Sequence, residues 1–227
     1  MSKKSASPYI IAEIGINHEG HISRALKLIR SAKKAGANAV KFQLFDPHTL
    51  ASKNSAKTIN QKNKLKKESL FEMWKRLSLN ERKIIKLKKF SEKLKIDFFC
   101  SIFDYKSLKI IKKTRIKSIK IASSDITDIP LLKEIAKTKK KIFLSTGMAS
   151  TKEISNAVKI LNKKKLTILH CVSLYPCPIE YSNLSRMKKL KEKFKTKIGY
   201  SDHCRGIDAS ISAITLGAET IEKHFTD

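Results

Sequence analysis

Residues 9–43 read YIIAEIGINHEGHISRALKLIRSAKKAGANAVKFQ and hold one full repeat of the pattern that decides the fold. YIIAEIG (9–15) and AVKFQ (39–43) are short apolar runs that end in polar residues, as strands do. Between them, SRALKLIRSAKKAG (23–36) spaces its apolar residues three and four apart and closes on a glycine, which is the pattern of an amphipathic helix and its terminator. Strand, helix and strand follow one another with little intervening chain.

Outward from this stretch the alternation continues. Six further runs have strand character: DFFCSIF (97–103), SIKIAS (118–123), KIFLST (141–146), LTILHC (166–171), KIGYSD (197–202) and TIEKHF (220–225). LSLNERKIIKLKKFSEKL (77–94) reads as a helix starting near a Ser78/Glu81 capping box, and Ser150 with Glu153 forms a second box after LSTGM. Eight strands alternating with helices predict an α/β fold, a parallel (β/α)₈ TIM barrel, in one domain over residues 1–227. An open doubly wound sheet fits less well, because no glycine-rich dinucleotide fingerprint follows the first strand. Residues 46–69 form a long polar insertion after the second strand, either a lid or a disordered excursion. The sequence also stops just after the eighth strand, so the expected barrel lacks its eighth helix and leaves a flank for another chain or segment to cover.

Composition narrows the function. With 49 basic and 20 acidic residues the formal charge is +29, but only seven of the cations are arginine, and the 42 lysines scatter over most helix faces. Specific nucleic-acid recognition draws on arginine and interleaved aromatics, so solvated helix faces, with weak salt-sensitive polyanion binding, are expected instead of a specific nucleic-acid partner. No apolar signal core or membrane-length run occurs, predicting no membrane partner and a cytoplasmic location. Cys100, Cys171, Cys177 and Cys204 have no paired CxxC spacing and read as reduced thiols.

In a (β/α)₈ barrel the chemistry sits at the C-terminal strand ends. Lys41 and Gln43, two apart on a strand, share one side, while Val40 and Phe42 take the other. Lys120 repeats this arrangement between Ile119 and Ile121. A lysine between apolar neighbours needs a counter-charge, so these two, with hydroxyls of Ser123, Ser145 and Ser201, predict a site for a phosphate and a carboxylate together. His203 and His224 end the seventh and eighth strands and could share a Mn²⁺, Zn²⁺ or other borderline cation, with Glu13 as a further ligand or a partner for substrate hydroxyls. His18, His21 and His48 fall on loops and are expected in solvent or lid roles, and His170 is expected to orient its neighbours.

The strings AEIGINHEG, AGANAVKFQ, KIAS, STGM, LHCVSLYP, IGYSDH and EKHFTD, in order from residue 12 to residue 227, resemble the sialic acid (N-acetylneuraminate) synthases with their legionaminic acid and spore-coat polysaccharide relatives. That resemblance implies an enzyme of carbohydrate biosynthesis that condenses phosphoenolpyruvate with an N-acyl amino sugar such as N-acetylmannosamine and releases phosphate. Lys41, Ser101, Lys120, Ser123, Ser145, Ser173 and Ser201 would contact phosphoenolpyruvate, although Ser173 stands where some members have asparagine. Glu13, Gln43 and Tyr175 would hold the sugar, Glu13 and Asp125 would be catalytic, and His203 and His224 would bind a divalent metal, Mn²⁺ first, with Mg²⁺ or Co²⁺ as alternatives. AEIGINHEG leans toward the sialic or legionaminic branch.

The resemblance also implies a homodimer. Family members continue past HFTD with a further acidic residue, the last barrel helix and a C-terminal antifreeze-like domain, so this chain reads as a truncated catalytic barrel. Two alternatives stay open: another phosphoenolpyruvate-dependent 3-deoxy sugar acid synthase, and an inactive truncated barrel with nonspecific polyanion binding.

Overall fold

The computed structural model of the chain describes residues 7–52 and 68–227. Eight parallel strands close into a barrel in sequence order: β1 (Tyr9–Gly15), β2 (Ala39–Leu44), β3 (Asp97–Ile102), β4 (Ser118–Ile121), β5 (Lys141–Ser145), β6 (Leu166–Cys171), β7 (Lys197–Asp202) and β8 (Thr220–His224), with β8 pairing back to β1. Each expected strand forms. Helices α1 (Ile22–Lys34), α2 (Pro47–Leu50), α3 (Leu70–Leu77), α4 (Glu81–Lys93), α5 (Tyr105–Lys113), α6 (Ile129–Lys137), α7 (Thr151–Ile160), α8 (Arg186–Phe194) and α9 (Asp208–Thr215) fill the crossovers. The chain therefore has the (β/α)₈ TIM-barrel fold.

Every strand residue faces either the barrel axis or the helix layer. Ile14, Val40, Phe42, Ile119 and Ile121 face outward and are fully buried against helices. The axis-facing set is aromatic at the strand starts and polar at the strand ends. Tyr9 stacks on Phe143 and Phe143 on Phe99, with ring centroids 6.2 and 5.2 Å apart, so the N-terminal half of the barrel is plugged by packed rings. Glu13, Lys41, Ser101, Lys120, Ser145, Ser201 and Glu222 occupy the layer above this plug, all buried.

The Ser78/Glu81 capping box does not form. Ser78 closes α3 instead, its Oγ donating to the Lys75 carbonyl at 2.8 Å, and Leu79 turns into the core before α4 can start. Asn80 then caps α4, its side chain accepting from Lys83 N at 2.9 Å. The Ser150/Glu153 box forms as expected, with both reciprocal bonds present. The 46–69 insertion is structured at its edges, where Asp46 caps α2 and the Ser69/Glu72 box opens α3. Residues 53–67, the greater part of the insertion expected as either a lid or a disordered excursion, lie outside the described residues. Among the described residues no helix is long and apolar enough to cross a membrane.

Gly199 of β7 shows how tightly the barrel is filled. A Cβ there would lie 2.5 Å from the Thr220 carbonyl oxygen and 2.7 Å from Leu169 Cδ2, and the backbone oxygen cannot retreat without breaking the β7–β8 ladder. Gly199→Ala is expected to destabilise the barrel by about 2 kcal/mol or more, the scale of an overpacked core, and unchanged urea unfolding would refute this reading.

Candidate active site

The strand ends converge on a cavity of about 350 Å³ at the C-terminal mouth. Register explains the convergence. Glu13 lies beside Lys41 and His224, Gln43 beside Ser101, Ser101 beside Lys120, and Cys171 beside Ser201, which in turn lies beside Glu222. The period of two keeps each of these side chains on the axis face.

Lys41 and Lys120 do meet counter-charges, supplied by the protein itself. Lys41 Nζ lies 2.7 Å from Glu13 Oε2 and 3.5 Å from Glu222 Oε2, and donates to Ser101 Oγ at 2.8 Å. Lys120 Nζ lies 3.1 Å from Glu222 Oε1, which also accepts from Ser201 Oγ at 2.9 Å. Burial works against the Glu222 anion, but the two ammonium groups and the Ser201 hydroxyl outweigh it and hold the carboxyl down at about 2. For Glu13 burial wins and pushes the carboxyl up, against the pull of Lys41. Burial also opposes the Lys41 charge, yet Glu13 and Glu222 together raise it above the ordinary lysine range.

Glu222 was not among the residues expected at the site. TIEKHF carried the signal, since Glu222 is two residues before His224 and so shares its face. Phe103, Ser124, Met148 and Cys171 also line the cavity without having been anticipated.

Of the expected phosphate-side hydroxyls, Ser123, Ser145 and Ser173 line the wall at the ends of β4, β5 and β6, whereas Ser201 sits beside His203 and Glu222. Ser123 Oγ accepts from Gly147 N at 2.9 Å and sits 3.3 Å from Cys171 Sγ. Gly147 is required there, because a Cβ would fall 2.4 Å from Ser173 Oγ and 3.1 Å from Ser123 Oγ. Ser145 Oγ is buried and has no hydrogen-bond partner, an acceptor and donor aimed at nothing in the protein. On the opposite wall the His203 and His224 rings lie 5.6 Å apart, with Tyr175 packed on His203 at 4.1 Å. His203 Nδ1 contacts the Val172 carbonyl at 2.6 Å, which as a donor bond makes Nε2, 3.4 Å from Ser201 Oγ, the ring's acceptor. Burial lowers the affinity of both rings for protons, bringing His203 to about 4, so both are neutral and able to ligate at neutral pH. No group of three or more His, Cys, Asp or Glu that could hold a metal occurs among the described residues.

Asp202 fixes this wall from behind. It is buried and fully engaged, accepting from Cys204 N at 2.8 Å, Ser210 Oγ at 2.6 Å and Lys223 Nζ at 2.7 Å. One carboxylate thus ties the β7 end to α9 and β8, the elements flanking both histidines.

In the 3₁₀ turn Ser123–Asp125, Ser123 and Ser124 line the cavity, and half-buried Asp125 accepts from Ser124 Oγ at 3.2 Å, its carboxyl pushed up to about 6 chiefly by burial. One expectation is corrected. His18 is fully buried, not in solvent, because the turn after β1 folds inward over Phe42 and the Gly20 N–H bonds its Nδ1 at 3.0 Å. Burial, then Lys83 and Arg24, lower His18 to about 4. His21 and His48 are exposed as expected. His170 is buried, with Nε2 at 2.8 Å from the Ser182 carbonyl and its ring on Tyr200, the orienting role expected of it. All four cysteines are free and buried.

Residues 28–227 match the family described as NeuB. An N,N'-diacetyllegionaminic acid synthase of Campylobacter jejuni is 43% identical over 223 residues, which are 96% of this chain and 67% of that protein. A pseudaminic acid synthase of Helicobacter pylori is 37% identical over 96% of this chain and 65% of its own length. Among solved structures, the N-acetylneuraminic acid (sialic acid) synthetase of Leptospira borgpetersenii superposes with a TM-score of 0.87 at 36% identity, over 100% of this chain and 78% of that one. The chain spans 63% to 67% of the length of three curated relatives that it matches.

Two measurements test this geometry. Glu222→Gln removes the one carboxylate bonded to Lys120 and is expected to cost about 3 kcal/mol in urea unfolding at neutral pH, the scale for breaking a buried pair; an unaltered transition would show the lysines need no neutralising there. His18 should stay neutral down to about pH 4 in an NMR titration. Because its folded value lies below the unfolded one, it contributes stability that is present above about 6.5 and is lost as pH falls toward 4, whereas a midpoint near 6.5 would contradict its burial.

Proposed function

The chain belongs to the NeuB family, and on that premise we propose that it is a nonulosonic acid synthase barrel that condenses phosphoenolpyruvate with an N-acyl amino sugar of the N-acetylmannosamine type. The observation that carries this reading is the pair of buried lysines, Lys41 and Lys120, facing one cavity with the hydroxyls of Ser101, Ser123, Ser145 and Ser201. Two ammonium groups beside four hydroxyls, of which that of Ser145 has no partner in the protein, suit a small molecule bearing both phosphate and carboxylate. In the Glu13–Lys41–Glu222–Lys120 quartet each lysine already has a carboxyl partner within 2.7 to 3.5 Å before the substrate arrives.

In the reaction, C3 of phosphoenolpyruvate forms a bond to the aldehyde carbon of the open-chain sugar, water adds at C2, and phosphate departs with cleavage of its C–O bond. Lys120, Ser123 and Ser145 bind the phosphoryl oxygens and offset the charge on the leaving group. Gln43 and Tyr175 hold the sugar from the opposite rim. Glu13, whose carboxyl is raised by burial, positions the acceptor hydroxyls or takes a proton from the attacking water, a role its place on the wall favours over Asp125. His203 and His224 would hold a divalent cation, Mn²⁺ first, and such an ion supplies Lewis-acid polarisation of the sugar aldehyde. Identity to the legionaminic acid synthase of C. jejuni, 43% against 37% for the pseudaminic acid synthase of H. pylori, supports the sialic or legionaminic branch.

Phosphate release from phosphoenolpyruvate is expected with Mn²⁺ and N-acetylmannosamine or a 2,4-diacetamido analogue, and only when the sugar is present. His203→Ala and His224→Ala should each lower kcat/KM by roughly a hundredfold or more while the fold persists. A folded, metal-loaded chain that is inert with every unphosphorylated N-acyl sugar, yet active with a phosphorylated acceptor, would assign it instead to the 3-deoxy sugar acid synthases.

A further inference from the structure

The face of the barrel opposite the cavity is built from the seven helix-to-strand connections, residues 33–38, 93–97, 113–118, 137–141, 160–166, 193–197 and 215–220. These carry seventeen lysines and arginines against two acids, Asp97 and Glu219. Every one of the seventeen is exposed except the half-buried Lys140. The other described residues are close to balance, with 24 basic and 18 acidic side chains. Most of the excess charge of the described residues is thus gathered on one face. The arrangement is invisible along the chain, where each cationic connection adds only two to four charges, and arises because a closed parallel barrel returns every helix to the same side.

Local backbone reinforces it. Lys95, Arg115, Lys139 and Lys195, with φ between 50° and 56°, take the left-handed positions that end their helices and are all exposed. Lys33 and Lys165 donate to the carbonyls of Lys95 and Lys139, at 3.0 and 2.6 Å, which ties their ammonium groups to this face. Burial, followed by the nearby Lys197, lowers the Lys141 ammonium, and Lys141 also lies over the Tyr9 ring at 4.4 Å.

The chemistry of the face distinguishes among anionic partners. Arg115 is its one arginine, and no exposed aromatic side chain lies in these connections, so nucleobases have nothing to stack on. The cations form an arc around the barrel axis, over six of the seven connections. A planar anionic surface can meet the whole arc at once, whereas a rod-like duplex meets only the connections along one line. Leu216, 58% exposed in the last connection, adds an apolar side chain of the kind that enters the headgroup boundary. We propose that this face docks the protein on a bilayer containing anionic lipid, which would leave the cavity mouth on the far side open to solution.

The test is flotation of the full chain with vesicles of phosphatidylcholine containing about 30% phosphatidylserine, against phosphatidylcholine alone, in about 0.1 M and about 0.5 M salt. Binding is expected only to the anionic vesicles, and to drop at least roughly tenfold at the higher salt. The triple variant Lys117→Glu, Lys139→Glu, Lys164→Glu should weaken it roughly a hundredfold. A control triple on the barrel sides, Lys109→Glu, Lys152→Glu, Lys188→Glu, has the same net charge and should lose no more than about threefold, since charges more than a Debye length from the bilayer are screened. Thermal melts check the fold of both, and glutamine replaces glutamate in any variant that melts early. Equal loss in both triples would mean net charge alone drives adsorption and would overturn the proposal. So would equal binding to neutral vesicles, or a face triple that leaves vesicle binding intact while weakening capture of duplex DNA.

Discussion

Two lysines and two carboxylates inside a barrel constrain everything else in this protein. An isolated ammonium or carboxylate in such an interior is prohibitively unstable, so Lys41 and Lys120 can exist there only because Glu13 and Glu222 approach within 2.7 to 3.5 Å. The four come from β1, β2, β4 and β8, and the closed register alone brings them together. The aromatic plug beneath, Tyr9 on Phe143 on Phe99, keeps water from reaching the quartet from the other end. A polar chamber with a dry floor lets a few fixed charges act strongly on a small anion, because solvent screens them from the mouth side only.

The remainder of the site is organised by groups that never face the cavity. Asp202 gathers the β7 end, α9 and Lys223, and the Val172 carbonyl sets the tautomer of His203. Gly147 lets the chain pass close enough to donate to Ser123 while leaving room for Ser173. Each of these residues holds a side chain in place by closing off its alternatives, which is how a shallow mouth of loops acquires fixed geometry.

Most of the barrel was legible because strands buried on both sides announce themselves as short apolar runs with polar ends, and all eight did so. Lys41, Gln43 and Lys120 were legible for a related reason, as polar residues where alternation puts them on a buried face. Glu222 was less legible, because its place in the site comes from the closure of β8 against β7 and β1, which sets it beside Lys41 and Lys120. His18 was not legible from its position in a loop, because the turn after β1 folds inward onto Phe42. Asp125 rests on family resemblance and not on periodicity, and it lies in a 3₁₀ turn, which has no sequence period of its own. The lysine-rich face needed the three-dimensional closure, since its members are spaced across nearly the whole chain.

The order of the strands has a consequence for how the protein is made. During synthesis β2 and β4 emerge with their lysines long before β8, and Lys120 has no carboxylate partner among the described residues other than Glu222. An incomplete barrel therefore holds a cation in its interior that only the last strand neutralises. Closure of the sheet and neutralisation of the site become one event, late and cooperative, so a nascent chain short of residue 222 has reason to remain open, and a chaperone to find it so.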